Sequence, residues 1–341
     1  MNDMTKCACL ASAIFAIPAA VSGHHSNSEY DQSVVIELEG EVVDVLWRNP
    51  HVLLEFAADG DGGETWELEG AAVSSQRRRG VTSDLVKIGD RVRVAGYAST
   101  RRDRHMLTEH VLLPDGMELL LGFTREPRWS DVELGSSAWT VDPSEAARAQ
   151  GNGLFRVWSR GAGVRPWYFR EPSEFALTDA ALVVAENFDP FEDNPVLDCT
   201  APGMPALMGN PYPMEFVEID NGIEARYEEF DVIRTIHLDT MPSDVNIARS
   251  PLGYSVGRWE GNALVVTTTR INWPHFGRIG IPQTEAVEVI ERFIVIDNGN
   301  RLDYQLTVSD PGVLLESFSW EAHWAWRPGE QVNRYECTVE G

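Results

Sequence analysis

Lysine is nearly missing from this chain. It occurs twice, at Lys6 and Lys87, so arginine carries the basic charge. The 28 basic residues face 53 acidic ones, which leaves a formal net charge of -25 and a pI near 4.6. That surplus argues against a nucleic-acid partner, because nothing offsets phosphate repulsion, and it works equally against an anionic membrane surface. No later stretch approaches the roughly 20 apolar residues of a membrane helix. The Gly-x-Ser-x-Gly elbow, His-Glu-x-x-His, the phosphate-binding glycine loop and the dinucleotide fingerprint are all absent. Asp59-Gly60-Asp61-Gly62-Gly63 has a calcium-loop flavour but lacks the twelve-residue spacing with a terminal Glu, and reads as a hairpin turn.

What is present starts with a leader. Cys7 to Val21 is an apolar run of signal-peptide length, preceded by Lys6 and followed by small residues at Val21 and Gly23. The expectation is a signal peptide over 1–23, a mature chain beginning at His24, and a periplasmic or secreted protein without a membrane span. Cleavage would leave two of the four cysteines, Cys199 and Cys337. In an oxidising compartment such a pair reads as a disulfide, the alternative being two unpaired structural thiols.

The fold class expected is all-β. Residues 24–122 read as an OB-like small barrel: five short strands, with a possible helix around Arg77-Arg78-Arg79-Gly80 after the third. The first strand breaks at Gly40, as a bent or bulged strand does. Residues 123–212 form an irregular connector, too rich in aromatics for a free linker and so expected to wrap the barrels. It holds short helices near Pro143–Arg148 and Thr178–Asn187, with Thr178 as N-cap, and an optional edge strand at Gly153–Ser159. Residues 213–341 predict an eight-stranded antiparallel, lipocalin-like barrel, its hairpins marked by Asp220-Asn221-Gly222, Glu260-Gly261-Asn262 and Asp297-Asn298-Gly299.

Several of these segments are familiar. His24-His25-Ser26, Trp47-x-Asn49-Pro50-His51, Arg78-Arg79-Gly80, Gly89-Asp90 and Leu113-Pro114-Asp115-Gly116 resemble a family of secreted bacterial proteins of unknown function, over about residues 24–122. Val81 departs from that pattern, where Trp is frequent, and puts only a packing contact in doubt. Gly257-Arg258-Trp259-Glu260-Gly261 and Glu291-Arg292-Phe293 resemble a C-terminal module of secreted bacterial proteins, over about 195–341. Neither resemblance implies a reaction.

Two places in the sequence hold candidate chemistry. If His24 is the first residue, its amine and ring nitrogen with His25 or His51 would suit copper, or zinc with Glu29 or Asp31 added. In Phe318 to Trp326, Phe318, Trp320, Trp324 and Trp326 share one strand face, and Ser319, Glu321 and His323 the other. With the aromatic face inward, the second barrel would hold a small apolar or amphipathic ligand among Trp259, Trp320, Trp324 and Trp326, with Arg258 near an anionic group. With the polar face inward, Glu321 and His323 would be a catalytic acid–base pair. His237 shares a face with Ile233 and Thr235 and reads as a core histidine near the ligand. Glu285, Glu291 and Arg292 read as outward polar residues, and Arg258–Glu260 as a rim salt bridge. The readings in order are a binding protein for a small molecule, a copper or zinc enzyme, and an envelope assembly protein.

Overall fold

A computed structural model describes residues 29–60, 62, 64–136, 153–161, 163–190, 192–238 and 247–337. The leader, His24, His25 and the Pro143–Arg148 segment lie outside them. No helix among the described residues is long and apolar enough to cross a membrane.

The first unit is organised around one long strand, β1 (Tyr30–Trp47). It serves two partners in succession. Val35–Glu41 pairs with β4 (Arg91–Ser99), and Gly40–Trp47 with β2 (Val52–Ala58). At the crossover, a Cβ on Gly40 would stand 2.1 Å from the Ala57 carbonyl oxygen, so only glycine fits there. The bulge itself falls two residues later, between Val42 and Asp44. β2 pairs with β3 (Thr65–Glu69), β4 with β5 (His105–Leu112), and a parallel β3–β5 pairing closes the ring. Short strands β6 (Glu118–Leu120) and β7 (Glu133–Leu134) extend the sheet beyond those five. The helix α1 (Val73–Arg78) follows β3. Leu54, Phe56, Leu68, Val94, Val111 and Val81 fill the interior, so the residue that departs from the motif is a core residue.

The second unit corrects the strand count. Its closed barrel has nine strands, because β8 (Val157–Arg160), from the connector, lies between β16 (Phe318–Trp326) and β9 (Met214–Ile219). The others are β10 (Gly222–Tyr227), β11 (Ile233–Leu238), β12 (Tyr254–Glu260), β13 (Ala263–Thr269), β14 (Glu288–Ile296) and β15 (Arg301–Ser309). The barrel is not wholly antiparallel, since β11 and β12 run parallel. The optional edge strand is thus a barrel stave: with Val157, Trp158 and Ser159 all buried, it has no solvent face to alternate toward. The rest of the connector wraps the barrel. Trp167 packs edge-on to Trp320 at 4.8 Å, and Phe175 lies 5.0 Å from Phe318. The helix α2 (Asp179–Glu186) is capped by Thr178, whose hydroxyl accepts the Ala181 N–H.

The disulfide forms. Cys199 and Cys337 are bonded, tying the connector to the chain's last described residue. The tail before it also joins the two units. Asn49 donates to the Tyr335 carbonyl at 2.7 Å, while Glu228 accepts from both Arg77 of α1 (3.1 Å) and the Asn333 N–H (3.1 Å). The arginine run in α1 therefore divides its labour. Arg77 bridges the units, and Arg79 is buried against the carbonyls of Leu120 and Gly122.

Candidate functional site

Among the described residues, the inside of the second barrel is packed with apolar side chains. Trp320 and Trp324 point inward and are 4% and 2% exposed, so the aromatic face is the inner one. Tyr304 meets Trp324 edge-on at 5.1 Å and Phe293 at 4.9 Å. The centre is ionic. Arg234 donates to both oxygens of Glu291, to Ser255 Oγ (3.0 Å) and to Thr268 Oγ1 (2.7 Å), and Tyr304 donates to Glu291 at 3.0 Å. Burial would lower the Arg234 pKa, but Glu291 and the tyrosines raise it above the ordinary arginine value. Glu291 is therefore no outward polar residue. β14 buries Val289, Glu291 and Phe293 on one face, which alternation allows for any residue once a partner waits inside. The space at this end, lined by Met208, Tyr227, Glu229 and Trp324, is about 220 Å³ counted out to its open mouth, with inner room for one water.

The residues expected to surround a ligand accordingly do not converge. Trp259 is 45% exposed at the end of β12, and Arg258 lies on the surface, paired with Glu260 as the rim salt bridge. Trp326 is half-buried under the guanidinium of Arg156 at 4.5 Å. His237 stacks on Tyr254 at 4.6 Å on the outer face, because Arg234 and Ile236 take the inner positions of β11; it is not a core histidine. Glu321 and His323 also face outward, Glu321 in solvent and His323 against Gly161, away from the barrel interior. Burial and Arg301 push the His323 pKa down.

His51 belongs to a different cluster. Its Nδ1 lies 3.1 Å from both Glu69 Oε1 and the Gly70 carbonyl. The other Glu69 oxygen accepts from Tyr30 (2.8 Å), and also contacts His105 Nε2 (3.1 Å) and Arg102 (3.3 Å), which in turn donates to Glu29. Burial disfavours the charged form of His105, but contacts with Glu67 and Glu69 outweigh it and raise the pKa. Among the described residues no three His, Cys, Asp or Glu side chains form a group that could hold a metal ion.

The site that sequence reasoning missed lies outside the barrel, where the connector meets the 273–278 loop. A cleft of about 320 Å³, counted out to its open mouth, is walled by Tyr168, Pro195, Pro202 and Trp273 and floored by Asn210 and Arg278. Its closed part holds only about 10 Å³. Arg278 is half-buried, with its guanidinium 5.4 Å from the Tyr168 ring centre, and makes no hydrogen bond or ion pair with any described residue. Asn210 donates from Nδ2 to both oxygens of Glu229, at 2.7 and 2.8 Å. Burial pushes that carboxyl up to about 7, against the lowering pull of Asn210, Arg278 and Arg160. Arg160, beneath, donates to the carbonyls of Met208 and Asn210 and stacks over Trp324 at 4.6 Å, with its Nε and Nη1 unpaired. An unpaired cation, a carboxyl poised near neutrality and aromatic walls can bind an anion and move a proton. The sequence signal was faint: Gly277-Arg278-Ile279-Gly280 sets one arginine between glycines in a loop with Trp273 and His275.

The model of a family described as being of unknown function (DUF6152) matches residues 12–108, less than half of the chain. The match begins within the expected leader and covers most of the first sheet, and residues 109–341 lie outside it. No curated protein and no solved structure matches the chain.

Proposed function

We propose that this is a secreted, periplasmic protein that binds a small amphipathic ligand in the cleft between the connector and the second barrel. Arg278 carries the reading. A half-buried guanidinium with no partner among the described residues, beside Trp273 and two prolines, suits a ligand with an anionic end and a flat apolar body. The leader and the Cys199–Cys337 bond support export. The first unit is read as OB-like from its ring of five strands with a helix after the third, and the second as lipocalin-like in its closure, though packed inside with apolar side chains. The test is fluorescence of 1-anilinonaphthalene-8-sulfonate, an anion on an apolar ring system. Loss of one charge-assisted contact is worth about 1.5–3 kcal/mol, so Arg278→Gln should weaken binding roughly tenfold or more. Equal binding by both proteins rejects the cleft.

One observation favours a second reading, a copper or zinc enzyme. Holding His51 Nδ1 between Glu69 and the Gly70 carbonyl is how outer partners orient a metal-ligating imidazole. His24 and His25 would supply the remaining nitrogens. Metal analysis of exported protein with a sequenced N-terminus decides it: neither metal on a His24 terminus ends this reading.

A further inference from the structure

We propose that the cleft takes up its anionic ligand together with one proton, which is stored on the buried carboxyl of Glu229. The inference rests on the cleft reading above and adds its regulation. Glu229 is 2% exposed and sits behind Asn210, whose side chain borders both the cleft and the water-sized space at the barrel end. Two cations lie around Asn210 and favour the ionised Glu229 carboxyl: Arg278, which lines the cleft with Asn210, and Arg160 of β8, which donates to the Asn210 carbonyl. The other titratable groups around it are the phenols of Tyr168, Tyr212 and Tyr335, all shifted upward chiefly by burial and therefore neutral. The neighbouring Glu228 is occupied by Arg77 and the Asn333 N–H.

Burial raises the carboxyl, and the Asn210 hydrogen bond followed by the two arginines pulls it back, to about 7. An anion on Arg278 cancels one of those cations and adds a negative charge nearby. Both changes disfavour the carboxylate, so one oxygen takes the proton and the other keeps its Asn210 hydrogen bond. Reciprocity then requires that proton and anion strengthen each other's binding.

The experiment uses 1-anilinonaphthalene-8-sulfonate, whose sulfonate stays ionised throughout, so any pH dependence belongs to the protein. Titration calorimetry in Tris and in imidazole measures protons taken up directly. The expected affinity is flat below about pH 7 and falls toward tenfold per pH unit above it, with uptake approaching one proton per ligand at about pH 8. Glu229→Gln, which keeps the shape and neutral charge of the protonated acid, should bind at about pH 8 as the native protein does at low pH, with no uptake. Binding that depends on Arg278 but shows no uptake in the native protein overturns the proton coupling and leaves the cleft. Binding indifferent to Arg278→Gln, or no binding, overturns both. The calorimetry on native protein stands even if the Gln variant fails to fold.

Discussion

Inside the second barrel Arg234 meets Glu291, Ser255 and Thr268, and every oxygen and nitrogen it addresses belongs to another strand of the same ring. In the cleft on the outside, Arg278 has a tyrosine ring beneath it and no hydrogen bond to any described residue. The two arginines lie in one unit, each near a buried glutamate, yet they do different work. A guanidinium whose donors are all met in the dark of a core is part of the structure, and removing one partner leaves a stranded charge. A guanidinium at an open cleft, bonded to no described residue, leaves its donors to solvent, which a bound anion would replace. Cost on deletion, rather than chemistry, separates the two.

The cleft wall hangs on the disulfide, so the largest expected effect comes from there. The bond closes a loop with a sequence separation of 138 residues. In the chain-entropy model, replacing Cys199 and Cys337 by Ser should cost about 5 kcal/mol. Thermal melting would check this, and probe binding should fade below the melting temperature as the wall loosens. Breaking the interior comes next. Arg234→Met alone should cost about 3–5 kcal/mol in a denaturant titration, while Arg234→Met with Glu291→Leu should recover most of that. A single variant that melts like the native protein would erase the contrast.

A smaller effect sharpens the cleft side. The Glu229 carboxyl is raised from 4.5 to about 7 in the folded chain. Between those values the unfolded chain has lost the proton and the folded chain has kept it, so stability is full below 4.5 and falls as pH rises toward 7. At about 1.4 kcal/mol per pKa unit, the loss is roughly 3 kcal/mol, and Glu229→Gln should remove it. Melting curves from acid to alkaline pH should therefore be flatter for the variant, with the Gln protein more stable above neutrality. The smallest effect belongs to the outer face of β16: Glu321→Ala should change stability by no more than about 0.5 kcal/mol and leave probe binding untouched. A large loss of binding there would return attention to Glu321 and His323.

Much of the fold was legible because strands announce themselves locally. The eight strands expected from Met214 onward all form, since alternation and Asn-Gly or Gly-Asn turns are short-range signals. The ninth stave was harder. Val157–Arg160 is too short and too thoroughly buried to alternate, and its partners lie at Met214 and beyond 320. The same holds for Glu291. On the sequence it is a polar residue in an alternating strand, and it turns inward because Arg234, 57 positions earlier, lies across the ring.

By itself, then, the sequence determined a mostly β chain with strongly acidic charge, two strand-rich stretches around an irregular connector, and the alternating faces of β16 without saying which turns inward. These follow from composition, periodicity and turn chemistry, which act over a few residues or over the whole chain at once. Only the tertiary structure decided that the aromatic face of β16 turns inward onto an ionic pair, and that Asn210 stands between a cleft lined by Arg278 and the buried Glu229. The physical reason is distance along the chain. Whether a charge is met depends on which groups the fold brings within about 3 Å of it, and no local pattern records that.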